Sequence, residues 1–324
     1  MAFRVFEDAV NGTLFVFILV CTPIVILVTF LRFVATKKAQ RKFGLEDYLA
    51  LLALLFNLAF NALILWTVIE MNGKNALAAF SGLPPETVQQ ILRVGYAVNF
   101  FFPLNQTCAK LSLLALYYRI FNVRKAFRLW IYGVASAQIA WGTAILFTRI
   151  FACVPIRRFW DRRVPGTCVD AEQLLIAPEV LNSAIDFIMV GMAIWMVRQL
   201  QMPRSSQRKL VVLFALGGLT GIIGIIKIAD SHSSVGKSGL DAIWDVVQMC
   251  TAIICCTTPI YRSLLSTFNV FMSGVSRSSL WRLGSSRKSG SGKDVTSSHF
   301  TQVDESSTHE LHGQVYETGS YNHV

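Results

Sequence analysis

The chain is poor in charge. Only 15% of its 324 residues are Asp, Glu, Lys or Arg, against 53% that are hydrophobic, which excludes a soluble domain of ordinary composition. Long polar connections are lacking too. Between Leu14 and Ile260 the segments that separate the apolar runs have 13, 24, 10, 25, 12 and 12 residues, none long enough to hold a folded domain. No internal repeat of motifs is visible, which disfavours an inverted-repeat transporter. No cleavable leader is expected: Glu7 and Asp8 follow Arg4, and the first apolar run is longer than a signal-peptide h-region.

What fills the chain instead is seven apolar runs, Leu14–Val34, Tyr48–Ile69, Val94–Tyr118, Leu129–Thr148, Leu174–Val197, Leu210–Ala229 and Ala242–Ile260. A hydrocarbon core of about 30 Å takes roughly 20 helical residues. The shortest run has 19 and the longest 25. The expected fold is therefore all-α, a polytopic membrane protein with a seven-transmembrane helix bundle at 14–260. Pro84-Pro85-Glu86 suits the start of the third helix, since proline fits a first helical turn and an acid suits the positive end of the helix dipole. Residues 1–13 read as a short extracellular N-terminus. Residues 261–272, with Leu264, Leu265, Phe268, Val270 and Phe271, read as a short amphipathic helix on the inner leaflet. Residues 273–324 are rich in Ser, Gly, Thr and His and read as a disordered cytosolic tail.

The net charge of +11 does not point to nucleic acid, because of where the charge lies. Lys37, Lys38, Arg41 and Lys42 follow the first run, Arg119, Arg124, Lys125 and Arg128 the third, Arg198, Arg204, Arg208 and Lys209 the fifth. With six more beyond the seventh, eighteen basic residues lie on one side and nine on the other. The positive-inside rule places the N-terminus outside and the tail in the cytosol, in the plasma membrane or an endomembrane. The basic loops face anionic lipid headgroups, so the lipid bilayer is the first expected partner and nucleic acid is not one. Asn11-Gly-Thr13 is a sequon on the outer side, and Asn11 is the glycosylation candidate.

Cys153 and Cys168 share the long outer loop between the fourth and fifth runs, on an oxidising face, and are expected to form a disulfide that stiffens a lid over the outer mouth. Cys21, Cys108, Cys250, Cys255 and Cys256 fall inside apolar runs and read as small packing residues. No His or carboxylate stands at metal-ligand spacing beside Cys255-Cys256, so no metal site is expected.

Polar groups at membrane depth are costly and mark the candidate site. Lys110 lies about 13 Å and Asp186 about 18 Å from the basic face, counted at a 1.5 Å rise, so the two can pair between the third and fifth helices. Asn182 is one turn from Asp186. Asn57 and Asn61 form a similar stripe on the second helix, and Asn105 and Gln106 extend this buried polar layer on the third. Glu70, Lys227, Asp230, Asp241 and Asp245 form a second set near the outer mouth, where Lys227 and Asp245 can pair. The layer reads either as interhelical glue or as a cavity that binds a ligand or relays a proton. No catalytic residue and no cofactor is assigned.

Several motifs carry a resemblance. Arg41-Lys42-Phe-Gly-Leu-Glu-Asp47 precedes the second helix, and Lys110-Leu-Ser-Leu-Leu-Ala-Leu-Tyr-Tyr-Arg119-Ile-Phe121 closes the third. Cys153-Val-Pro155, Trp160-Asp161 and Cys168-Val-Asp170 follow, then Asn182 with Asp186, Trp244-Asp245 and Ile253-Ile-Cys-Cys-Thr-Thr-Pro259. In order and spacing, over about residues 30 to 265, the chain resembles the fungal rhodopsin-domain family of seven-helix membrane proteins, which has members among plant-pathogen surface receptors and in the satratoxin biosynthesis cluster. Lys227 stands where the family usually has Arg, and Asp245 where it usually has Glu. The family name suggests retinal, but the seventh run contains no lysine for a Schiff base.

The preferred expectation is a receptor-like or accessory membrane protein. It would bind a small apolar ligand without retinal, be tied to secondary metabolism or host sensing, and signal to a cytosolic partner through basic loops that include Arg119. The alternatives are an intramembrane, terpene-cyclase-like enzyme with Asp186 as the acid, or a proton-coupled transporter using the Lys110–Asp186 pair.

Overall fold

Helix limits in the computed structural model follow local chemistry. The structure describes residues 8–38, 40–72, 80–121, 125–199, 217–229 and 240–258. α1 (Ala9–Lys38) ends on Lys37 and Lys38, cations at the negative end of a helix dipole. α2 (Leu45–Glu70) starts from an extended Gly44, with Glu46 and Asp47 in its first turn and the Gly44 N–H donating to Asp47 Oδ2 at 3.3 Å. It stops at Met71, and Asn72 takes a positive φ of 51° just beyond, a conformation Asn tolerates well. α3 (Pro85–Phe121) begins on the expected proline and runs for 37 residues. α4 (Lys125–Ile150), α5 (Ala171–Gln199), α6 (Gly217–Ala229) and α7 (Leu240–Thr258) complete the helices that matter here.

One small departure from an all-α fold lies between α4 and α5. Cys153–Val154 (β1) pairs antiparallel with Thr167–Cys168 (β2), with a 3-10 turn at Ile156–Phe159 between them, and a Cys153–Cys168 disulfide closes the hairpin. The hairpin is seated on α3: Tyr96 packs edge-on against Phe159 and Trp160, its hydroxyl donates to the Ile150 carbonyl at 3.1 Å, and the Arg93 guanidinium lies 5.9 Å from the Trp160 ring. Two strands of two residues each are a product of the disulfide and turn, which no hydrophobic pattern announces.

α1, α2, α4, α5 and α7 are long and apolar enough to cross a membrane. Large apolar side chains such as Leu19 and Phe30 on α1, Leu129 and Phe147 on α4 and Leu181 on α5 point away from the core. In hydrocarbon that exposure costs nothing, and the helical backbone satisfies its own polar groups. α3 is long enough but is not in this set, because it carries Asn99, Asn105, Gln106 and Lys110 toward the interior. α6 is described only from Gly217, so its expected start at Leu210 lies outside the described residues. The expected inner-leaflet helix at 261–272 and the tail at 273–324 also lie outside them.

The core is built from one face of each helix, with Val25, Ala50, Ala53, Phe60, Leu114, Val246, Met249 and Ile253 fully buried. α2 packs closely along α3. α6 approaches α5 through glycines: a Cβ at Gly221 would press on the Phe187 ring, and one at Gly224 would meet Ser183 Oγ and Glu179 Oε1. Small residues of this kind let backbones approach where no water drives helices together.

Candidate functional site

Two buried polar assemblies stand at different levels of the bundle. The first is a junction of α1, α2, α3 and α7. Arg32 is fully buried, and its Nε lies 2.9 Å from Asp47 Oδ1. Its other nitrogens donate to the Glu46 and Cys256 carbonyls, each at 2.8 Å. Ser112 Oγ donates to the same Glu46 carbonyl at 2.6 Å, while the Glu46 carboxylate pairs with Arg119. Arg119 also donates to the Lys42 carbonyl at 3.1 Å. A guanidinium can serve three acceptors in one plane, which suits it to tie several helix ends together. Arg119, expected to face a cytosolic partner, is therefore held by the turn before α2, and the Glu46-Asp47 motif has a structural task.

The second assembly is a column of charge between α3, α5, α6 and α7. Lys110 Nζ on α3 lies 2.9 Å from Asp186 Oδ1 on α5 and donates to Asn182 Oδ1 at 2.6 Å and to the Asn182 carbonyl at 3.1 Å. Asn182 Nδ2 donates to Glu179 Oε1 at 3.3 Å, and Gln248 Nε2 on α7 donates to the same oxygen at 2.7 Å. The other Glu179 oxygen lies 3.5 Å from Lys227 Nζ on α6, and Lys227 also pairs with Asp245 on α7. Glu179, Asn182, Ser183 and Asp186 recur at helical spacing and so share one face of α5. The Lys227 ammonium stands 4.7 Å from the Phe102 ring centre, and Lys110 stands 6.0 Å from that of Trp141, favourable positions for a cation. Arg149, at the end of α4, donates to Asn99 Oδ1 at 2.7 Å and is within electrostatic reach of Asp245 and Glu179. Lys110 and Lys227 thus face three acids, and burial on this scale is tolerated because these charges are paired and hydrogen-bonded.

Beside the Lys110–Asp186 end lies a small cavity of about 30 Å³ bordered by both residues and by Tyr117, Thr220, Cys255 and Cys256. On this measure a water molecule takes roughly 10–15 Å³, so the space suits water rather than an organic ligand. Asp186 Oδ2 has no hydrogen-bond partner among the described residues, although the Thr220 side chain is close by.

The remaining sequence candidates divide. Asn57 and Asn61 bond to each other at 3.2 Å, Asn61 to Thr22 at 3.0 Å and Asn57 to Cys250 Sγ at 3.9 Å, which ties α2 to α1 and α7. Asn105 Nδ2 donates to the Ala53 carbonyl at 2.7 Å. Gln106, fully buried, sits between Phe102 and Lys110 on α3, with neither amide atom bonded among the described residues. Asn11 is buried in the first turns of α1, where a glycan would have to displace its packing. Glu70 is half-buried at the end of α2 and Asp241 half-buried at the start of α7; Asp230 lies outside the described residues. Lys227 and Asp245 pair as expected, and Lys227, 3% exposed, also reaches Glu179 and so belongs to the column. The sequence reading passed over Glu179, which joins the two ends of the column, although it is an acid within the fifth apolar run. Gln248, Arg149 and the Arg32–Asp47 pair were missed as well.

The apolar helices, their lipid-facing side chains and the paired interior charges define an integral, multi-pass helical membrane protein. The chain belongs to the fungal rhodopsin-domain family, whose model, described as "Fungal rhodopsin domain", matches residues 31–267. It is 35% identical over 92% of its length to wortmanamides biosynthesis cluster protein C of Talaromyces wortmannii, covering 83% of that protein. It is 45% identical over 59% of its length to satratoxin biosynthesis SC1 cluster protein 4 of Stachybotrys chartarum, covering 72% of it. A third relative, 23% identical over 80% of the chain and 75% of its own length, is polyenoic acids biosynthesis gene cluster protein Ba17b of Metarhizium anisopliae. No solved structure matches the chain at a significant level.

Proposed function

We propose that the protein is a seven-span, receptor-like accessory protein of secondary metabolism, with its N-terminus outside and its tail in the cytosol. It binds a small apolar ligand entering from the outer side or the bilayer, without retinal. The observation that carries this reading is the column of buried charge on four helices. A paired network of this kind has few ways to rearrange, so a ligand that shifts one helix changes partners on the others; that is the bistable element a receptor needs. The names of three relatives, each a biosynthesis cluster protein, supply the metabolic setting. The absence of lysine from α7, together with the engagement of Lys110 and Lys227 by acids, supports a retinal-free ligand. The small volume beside Asp186 speaks against that acid meeting either an organic substrate or the proposed ligand directly. Proton-coupled transport is the second reading, favoured by the water-sized cavity at the Lys110–Asp186 pair.

The test uses full-length protein in lipid nanodiscs with apolar extracts of a fungus that carries the gene. A receptor-like protein shows saturable thermal stabilisation by an extract component that is recovered unchanged. Conversion of that component favours an enzyme, and its uptake into sealed proteoliposomes along a proton gradient favours transport. Stabilisation by no component, in a preparation shown to be folded, contradicts ligand binding.

A further inference from the structure

We propose that Asp186 is a proton-binding site, reached by water through the cavity that Tyr117, Thr220, Cys255 and Cys256 border. The ground is geometric. One carboxylate oxygen, Oδ1, is committed to Lys110 at 2.9 Å, while Oδ2 lacks a hydrogen-bond partner among the described residues although the residue is 5% exposed. A buried carboxylate oxygen in that position calls for a donor, and the adjoining space of about 30 Å³ admits water. The step balances simply: hydronium gives its proton to Oδ2, the carboxylate becomes a carboxylic acid, and water remains in the cavity.

The surroundings accept that change. Once Asp186 is neutral, the Lys110 ammonium keeps Asn182 Oδ1 at 2.6 Å and the Asn182 carbonyl at 3.1 Å as acceptors, and Asn182 links it to the negative Glu179. The titratable and charged groups that face Asp186 are Lys110 and Tyr117 from α3, Glu179 from its own helix and Cys255 and Cys256 from α7; the described part of α6 contributes the Thr220 hydroxyl. Cys256 also offers its carbonyl to Arg32. The cavity therefore abuts the Arg32–Asp47 junction. This inference stands whether or not the protein binds an apolar ligand.

Infrared difference spectra of the full-length protein in nanodiscs, taken on acidification in H2O and D2O, test it. A protonated-carboxyl C=O band should grow in, shift in D2O and be lost in Asp186→Asn. Thr220→Val should move the band, and Ala252→Leu, which fills the cavity from α7, should slow its hydrogen–deuterium exchange. These two variants keep the test decisive if Asp186→Asn fails to fold. Absence of any such band in the wild type, its persistence in Asp186→Asn, or a band indifferent to both Thr220→Val and Ala252→Leu overturns the proposal.

Discussion

Glu179 Oε2 lies 3.5 Å from Lys227 Nζ, with both side chains at least 96% removed from solvent. Through Asn182 on one side and Lys227 on the other, this pair joins Lys110–Asp186 to Asp245.

Lys110→Met and Asp186→Asn should each lower the thermal stability of the detergent-solubilised protein. Leaving one member of a buried ion pair without its partner costs about 3–5 kcal/mol. The double variant should recover part of that loss. If the single losses simply add in thermal denaturation, the pair does not interact and the site is misassigned.

Lys227→Met should be more damaging than Glu179→Gln or Asp245→Asn. Removing the lysine leaves two carboxylates without their cation, whereas removing either acid leaves Lys227 with the other. Melting temperatures of the three variants measured side by side decide this, and a milder loss for Lys227→Met speaks against its central position.

Gly224→Val should destabilise by about 1–3 kcal/mol, the usual cost of overpacking. Its new side chain meets Glu179 Oε1, which Gln248 and Asn182 hold in place. Gly218→Val, where nothing lies within 4 Å of an added Cβ, is the control and should be close to neutral.

Replacing both Cys153 and Cys168 by Ser should loosen the hairpin and leave the helices intact. The bridge closes a loop of 15 residues in sequence separation, worth about 3 kcal/mol on the loop-entropy account. Limited proteolysis should cut within residues 155–166 far faster in the double variant, while helical circular dichroism stays the same. In intact cells a tag at Val324 should survive external protease if the tail is cytosolic.

Five helices of membrane length were legible because apolar runs of that length need only counting, and Pro85 signals the start of α3. The Lys110–Asp186 pair was legible from depth along two helices, because a charge at that depth needs a partner. Glu179 was harder to read. It follows Pro178 early in α5, where an acid also passes for a residue near a helix end, and only the approach of α6 at Gly224 brings Lys227 to it. The Lys227–Asp245 pair was legible from the facing ends of the sixth and seventh runs, but its link to Glu179 depends on how α5 and α6 are staggered, which a single sequence does not encode. Arg32 lay in plain view as a cation in the first run, but its partner is the Asp47 that looks like an ordinary helix-start acid. The hairpin strands exist through the disulfide and its turn, with no alternation to mark them.

The column is one unit, although Asp186 and Asp245 sit at its opposite ends and pair with different lysines. A double-mutant cycle with Asp186→Asn and Asp245→Asn, read as unfolding free energy or its thermal equivalent, tests that most directly. Members of one ion-pair network couple by about 0.5–3 kcal/mol, while independent sites add within roughly 0.3–0.5 kcal/mol. Coupling in the first range is the predicted result. Additivity within the second would mean two separate ion pairs and no single column.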